Sequence, residues 1–211
     1  MTLKLTQSYE SIVEHLQSCA RTDEEKANFA GTPDRATRAI KSMVRPWTEI
    51  VKELSSVPKQ FPIKRNEDRP AGLLTQGASV ARSMCPHHLL PVMYEVYLSY
   101  ISKSEVVGLS KLDRVARLLA KRAVLQEQYT LDVAEFFHME QSSLGDGIGM
   151  ESDGSCITVL GMHTCMLCRG TEVQPGNRTL TTEMTGCFWD DPTLEMKHQT
   201  NIDTIRKSLS F

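Results

Sequence analysis

The chain has 211 residues, 40% of them hydrophobic and 24% charged, with a formal net charge of -2. That length suits one domain with a real core and an appended arm, and the charge leaves no basic excess for general nucleic-acid binding. No run of about 18 apolar residues occurs, so no membrane partner is expected, and the N-terminus MTLKLTQSYESIVEHL lacks the apolar stretch of a signal peptide, which points to a cytoplasmic location.

Tyr9, Ile12, Val13 and Leu16 recur at helical spacing and predict an amphipathic helix over residues 7–20. GTPDR, Gly31 to Arg35, reads as a helix start, with Thr32 as N-cap and Pro33 in the first turn; this helix should break near Pro46. Residues 56–72 are polar and hold three prolines, which reads as a linker. The expected division is therefore an arm and linker over 1–72 and a main domain over 73–211.

From about residue 73 the texture changes. VMYEVYLSYI, 92–101, reads as a strand. Ser110 reads as the N-cap of a helix carrying Leu112, Val115, Leu118 and Leu119 on one face, and a second helix is expected over about 124–140. SCITVLGMHTCMLC, 155–168, and RTLTTEMTGCFW, 178–189, are strand-like. The predicted order is strand, strand, helix, helix, strand, strand, an α+β pattern.

The six cysteines are Cys19, Cys85, Cys156, Cys165, Cys168 and Cys187. In a chain of this size expected to be cytosolic, metal binding or buried thiols outweigh a disulfide framework. Cys85 and His88 stand three apart, a common spacing for two ligands on one metal. In a strand, His163 and Cys165 would share one face and Cys168 would take the other, which favours Cys165 as the third ligand. If the chain turns after Cys165, that alternation fails and Cys168 becomes a possible fourth. Three ligands suit a catalytic zinc with an open position; four would close a structural site. His87 and His163 are then available for proton transfer.

Ser110, Lys111 and Arg114 cluster at a predicted helix start, where N–H groups and two cations can hold an anion. The alternative is an ordinary solvated helix end. Gln126 and Glu127 could be plain surface residues; a buried carboxylate there could instead accept from both N–H donors of guanine and reject adenine.

CPHHLLP (85–91), VVGLSKLDR (106–114), QEQYT (126–130) and HTCMLCRG (163–170) together resemble the GTP cyclohydrolase I family, and GTPDR resembles its N-terminal helix start. The resemblance implies a tunnelling fold: an antiparallel sheet with two helices on one face, assembled as a homodecamer with active sites between subunits. It implies Zn2+ on Cys85, His88 and Cys165, proton transfer by His87 and His163, and guanine bound by Glu127 with Gln126 beside it. The triphosphate of GTP would lie among Ser110, Lys111, Arg114 and Arg169, with Arg35 from another subunit. The implied reaction is hydrolytic opening of the guanine ring at C8, giving formate and 7,8-dihydroneopterin triphosphate. Four positions depart from the family's pattern: Pro86 for a glutamate, Tyr94 for a glycine, Tyr97 for a histidine and Leu160 for an acidic residue. They leave open a related tunnelling-fold enzyme acting on another purine or pterin in deazaguanine metabolism, or a non-enzymatic zinc-stabilised oligomer.

Overall fold

The structure is a computed structural model that describes residues 2–57, 60–63, 72–145, 147–168 and 176–208. These fall into two compact units, Met1–Arg45 and Pro46–Phe211. Of the expected linker 56–72, residues 58, 59 and 64–71 lie outside the described residues, as does Arg169.

In the first unit, α1 (Thr2–Ser18) is followed by α2 (Asp23–Ala27) and α3 (Thr32–Met43). Thr22 caps α2 by accepting from the Glu25 N–H at 3.2 Å. Thr32 is not the cap of α3, as expected from sequence, but its first residue. Gly31 takes the cap position at φ 69°, a left-handed conformation that glycine adopts without strain. α1 and α3 meet through a Thr6–Thr37 hydroxyl pair at 3.2 Å.

The second unit opens with α4 (Trp47–Leu54). Its Ile50 and Leu54, and Val57 just after it, are buried in the main core, so the second unit begins well before the 72/73 boundary suggested by composition. A short β1 (Gln60–Pro62) pairs antiparallel with β4 (Glu105–Val107). The main sheet is fully antiparallel, in the order β2 (Leu73–Met84), β3 (Pro91–Ser102), β5 (Ser152–His163) and β6 (Thr179–Gly186).

Side-chain alternation gives this sheet two different faces. Val92, Tyr94, Val96, Leu98 and Tyr100 of β3 join the large core with α5 (Leu109–Leu119) and α6 (Gln126–Phe136). The opposite face carries Ser99, Ile101 and Cys156, which meet α8 (Cys187–Asp190) and α9 (Pro192–Ser208). Ser110 is the second residue of α5, not its cap; the Gly108 carbonyl starts the helix by accepting from the Lys111 N–H at 2.8 Å. α6 is shorter than the expected 124–140, because a 3-10 turn over Met139–Gln141 follows it. Sequence reading missed α9. Its signal was Asp191-Pro192: Asp191 Oδ1 accepts from the Thr193 N–H at 2.9 Å as Pro192 opens the helix. No helix among the described residues is long and apolar enough to cross a membrane.

Candidate active site

Three chain segments converge at one end of the sheet. The β2–β3 hairpin loop, Cys85 to Leu90, closes through the Cys85 N–H to Leu90 carbonyl bond and the Leu89 N–H to Cys85 carbonyl bond, both 2.9 Å. The second bond makes a tight turn over Pro86, His87 and His88. Proline suits the start of such a turn, because its φ is preset and its missing N–H costs nothing there. The turn brings the Cys85 Sγ and His88 Nδ1 to 3.5 Å. Leu89 adopts φ 53°, a left-handed conformation costing on the order of 1 kcal/mol for a non-glycine residue.

The second segment is α7 (Thr164–Leu167), which follows β5 directly. The expected strand over 155–168 therefore ends at His163, and the alternation argument for Cys165 does not hold. Cys165 nevertheless reaches the hairpin, because the Thr164 hydroxyl donates to the Pro91 carbonyl at 2.6 Å and pins the helical turn there. The ligand atoms of Cys85, His88 and Cys165 all lie within 4.8 Å of one another, and both cysteines are buried. Ligand bonds of about 2.0–2.3 Å in a tetrahedron separate donor atoms by roughly 3.5 Å, so this soft donor set fits zinc. Cys168 is exposed and stands outside the cluster.

The third segment is the start of α6. Its connector from α5 is tied to the hairpin by the Ser83 hydroxyl, which donates to the Arg122 carbonyl at 2.7 Å, and by a bridge between Met84 and Ala123. The resulting cleft, about 230 Å³, is lined by Cys85, Pro86, His87, His88, Gln126, Glu127, His163 and Cys165, with Val124, Leu125, Met166 and Thr179. His87 and Glu127 are exposed; His163 is half-buried.

Gln126 is buried and committed to the protein. Its Nε2 donates to the carbonyls of Val159 at 3.1 Å and Thr179 at 2.9 Å, and to the Thr181 hydroxyl at 3.0 Å. Carbonyls only accept, so the amide nitrogen is fixed on that side and Oε1 on the other. Oε1 lies 2.8 Å from His163 Nε2, which must therefore carry the hydrogen. In the neutral ring Nδ1 is then the basic atom. Burial lowers the His163 pKa, and the negative charge of Glu127 partly opposes that. Gly161 makes the contact possible: a Cβ there would sit 1.9 Å from Gln126 Oε1. Sequence reading did not single out Gly161; a glycine two residues before His163 on the same strand face was the available signal.

The expected anion-binding residues stand elsewhere. Ser110, Lys111 and Arg114 share a second pocket with Glu53, Arg117 and Lys121, and Arg114 pairs with Glu53 at 2.8 Å. They sit at the start of α5, whose other end leads to Ala123 and the first cleft. Their pocket follows α5 as far as Leu118 and Lys121 and shares no lining residue with the first cleft. Arg35, in the first unit, donates to the Ala30 carbonyl at 2.9 Å and the Thr32 hydroxyl at 2.8 Å.

Residues 9–203 match the family model for GTP cyclohydrolase I. The chain belongs to the GTP cyclohydrolase I family. It is 32% identical over 184 residues to "GTP cyclohydrolase 1" of Rhodopirellula baltica, covering 87% of this chain and 72% of that protein. It is also 32% identical over 173 residues to "GTP cyclohydrolase 1" of Clostridium perfringens, covering 82% and 84%. Among solved structures, the apo archaeosine synthase QueF-Like aligns at 15% identity and a TM-score of 0.39, over 56% of this chain and 97% of that one, a likeness too slight to argue from.

The departures of this GTP cyclohydrolase I family member sort by sheet face. Pro86 lies in the cleft-forming turn. Tyr94, fully buried, stacks on Tyr129 at 4.6 Å and meets the His163 ring edge-on at 6.2 Å, so its bulk backs that imidazole. Tyr97 and Leu160 are on the opposite face. Tyr97 fits because residue 77 is glycine: a Cβ there would lie 2.3 Å from the ring. Its hydroxyl donates to Glu95 and accepts from Arg206 Nε of α9 at 3.0 Å.

Proposed function

We propose that this chain is a zinc-dependent GTP cyclohydrolase I, converting GTP to 7,8-dihydroneopterin triphosphate and formate. The observation that carries the reading is the single cleft that gathers Cys85, His88 and Cys165 with His87, His163 and Glu127. Zinc held by the Cys–His–Cys set supplies Lewis acidity for activating water. His87 and His163 then move protons at the purine. Gln126 holds His163 with Nε2–H donated inward to the protein, so Nδ1 is the atom that exchanges a proton. This assigns Gln126 to orienting the imidazole more than to touching the base. Glu127, at the first turn of α6, accepts from the guanine N–H donors.

The triphosphate is bound by Ser110, Lys111, Arg114, Arg169 and Arg35. The pocket that holds Ser110, Lys111 and Arg114 shares no lining residue with the cleft of the same chain, which supports an active site assembled between subunits. Among the described residues the main sheet leaves β2 and β6 as edge strands, of 12 and 8 residues. Long unpaired edges favour pairing with another copy, which supports a tunnelling fold closed into a barrel within a homodecamer. The location is cytoplasmic, with residues 1–45 as a helical arm to a catalytic unit over 46–211. Incubating zinc-loaded protein with GTP should release formate and yield a fluorescent neopterin after oxidation and dephosphorylation. Absence of both products would sink the reading.

A further inference from the structure

Cys165 and Cys168 are the two ends of one helical turn. The Cys168 N–H donates to the Thr164 carbonyl at 2.9 Å, closing the turn of α7. Residues three apart in such a turn have Cα atoms about 5 Å apart and side chains on neighbouring faces. That lies within the span of roughly 4.4–6.8 Å that a disulfide bridges. The two thiols differ in setting. Cys165 is 5% exposed and belongs to the metal-ligand cluster, whereas Cys168 is exposed and lies outside it. A fully committed ligand thus has an exposed thiol one turn away.

We propose that Cys165 and Cys168 are an oxidation site: closing their disulfide withdraws Cys165 from the metal cluster and releases the ion. The metal half of this inference rests on the zinc reading above. The oxidant is hydrogen peroxide. The exposed Cys168 thiol attacks it, the O–O bond breaks, and Cys168 becomes a sulfenic acid with loss of water. The Cys165 thiolate then attacks the Cys168 sulfur, an S–S bond forms, and the S–O oxygen leaves as a second water after taking up a proton. The two thiols lose two electrons and the peroxide gains them. With Cys165 oxidised, Cys85 and His88 remain as a two-ligand site, too weak to hold zinc. A dithiol reductant reverses the bond.

The test uses the full chain, zinc-loaded, dosed with hydrogen peroxide. Released zinc is followed with a chromogenic chelator, and mass spectrometry examines the proteolytic peptide that holds both cysteines. The wild-type protein should release zinc as that peptide loses the mass of two hydrogens, and dithiothreitol should restore both. Cys168→Ser should hold the same zinc before treatment and release it about tenfold more slowly. Equal release rates, or zinc loss without the intrapeptide disulfide, would overturn the proposal. Zinc loss from untreated Cys168→Ser would also overturn it, by making Cys168 a fourth ligand. Wild-type protein that holds no zinc before treatment sinks the functional reading instead, and the disulfide is then judged on the mass change alone.

Discussion

Gln126 Oε1 accepts a hydrogen bond from His163 Nε2 at 2.8 Å, joining the first residue of α6 to the last residue of β5. The other end of the same amide is held by the carbonyls of Val159 and Thr179, which decides the orientation of both groups. Gln126→Leu removes the acceptor with little change in volume. Turnover of GTP should fall about 10- to 100-fold, the usual cost of losing a group that orients a site imidazole, with bound zinc unchanged. Gln126→Glu keeps an acceptor for His163 and should recover part of the loss. Steady-state formate release with parallel metal analysis checks this, and unchanged turnover in Gln126→Leu counts against the orienting role.

Gly161 tests the same contact from the backbone. A Cβ would meet Gln126 Oε1 at 1.9 Å and its Cδ at 2.8 Å. Gly161→Ala should lower stability by about 1–3 kcal/mol, as overpacked sites do. It should also lower turnover, because Gln126 cannot keep both its carbonyl partners and His163. Thermal melting and kinetics read the two effects separately.

The metal cluster predicts a sharp division among neighbouring residues. Cys85→Ser, His88→Ala and Cys165→Ser should each reduce zinc from about one ion per chain to a small fraction of that. His87→Ala should retain zinc and lose activity by about 100-fold or more, the scale of a lost proton-transfer group. Metal analysis of dialysed protein decides it. Zinc retained in Cys165→Ser would show the cluster to be wrongly assigned.

His198 makes a prediction about pH that is independent of the site. It is a buried residue of α9, with Nδ1 2.6 Å from the Ser99 hydroxyl and Nε2 2.9 Å from the Thr158 hydroxyl. Burial lowers its pKa to about 4. The unfolded chain binds that proton near pH 6.5. The stabilisation from the neutral ring is therefore complete above about pH 6.5 and is lost as the pH falls from there towards 4, by about 3 kcal/mol in all. Chemical denaturation at pH 7 and pH 4.5 should show this loss, and His198→Gln should flatten the slope over that window. An equal slope in the variant would remove His198 as its source.

Much of this was legible in the chain itself. Alternating Val and Tyr in 92–101 gave a strand, because one face of a half-buried sheet needs apolar residues at every second position. The leucines and Val115 of 110–123 gave a helix for the corresponding reason at a period of 3.6. Residue type and spacing point to Cys85 and His88, whereas Cys165 rests on the family resemblance and on a strand alternation that α7 breaks. Other features were hidden. α7 interrupts a stretch with strand composition, because the Thr164–Pro91 contact comes from a distant strand and outweighs local propensity. α9 has a weakly amphipathic sequence, since the face it buries, Leu194, His198 and Ile202, has at its centre a histidine held by hydroxyls.

The sequence by itself determined which residue types could bind metal, move protons and hold phosphate, since those capacities belong to side-chain chemistry. Only tertiary structure decided which of them meet. It joined Cys165 to a hairpin far back in the chain, turned Gln126 inward to His163, left Cys168 exposed one turn from Cys165 and set Ser110, Lys111 and Arg114 in a different pocket. The physical reason is that such contacts depend on strand register, turn closure and packing between segments far apart in the chain, and no local pattern records these.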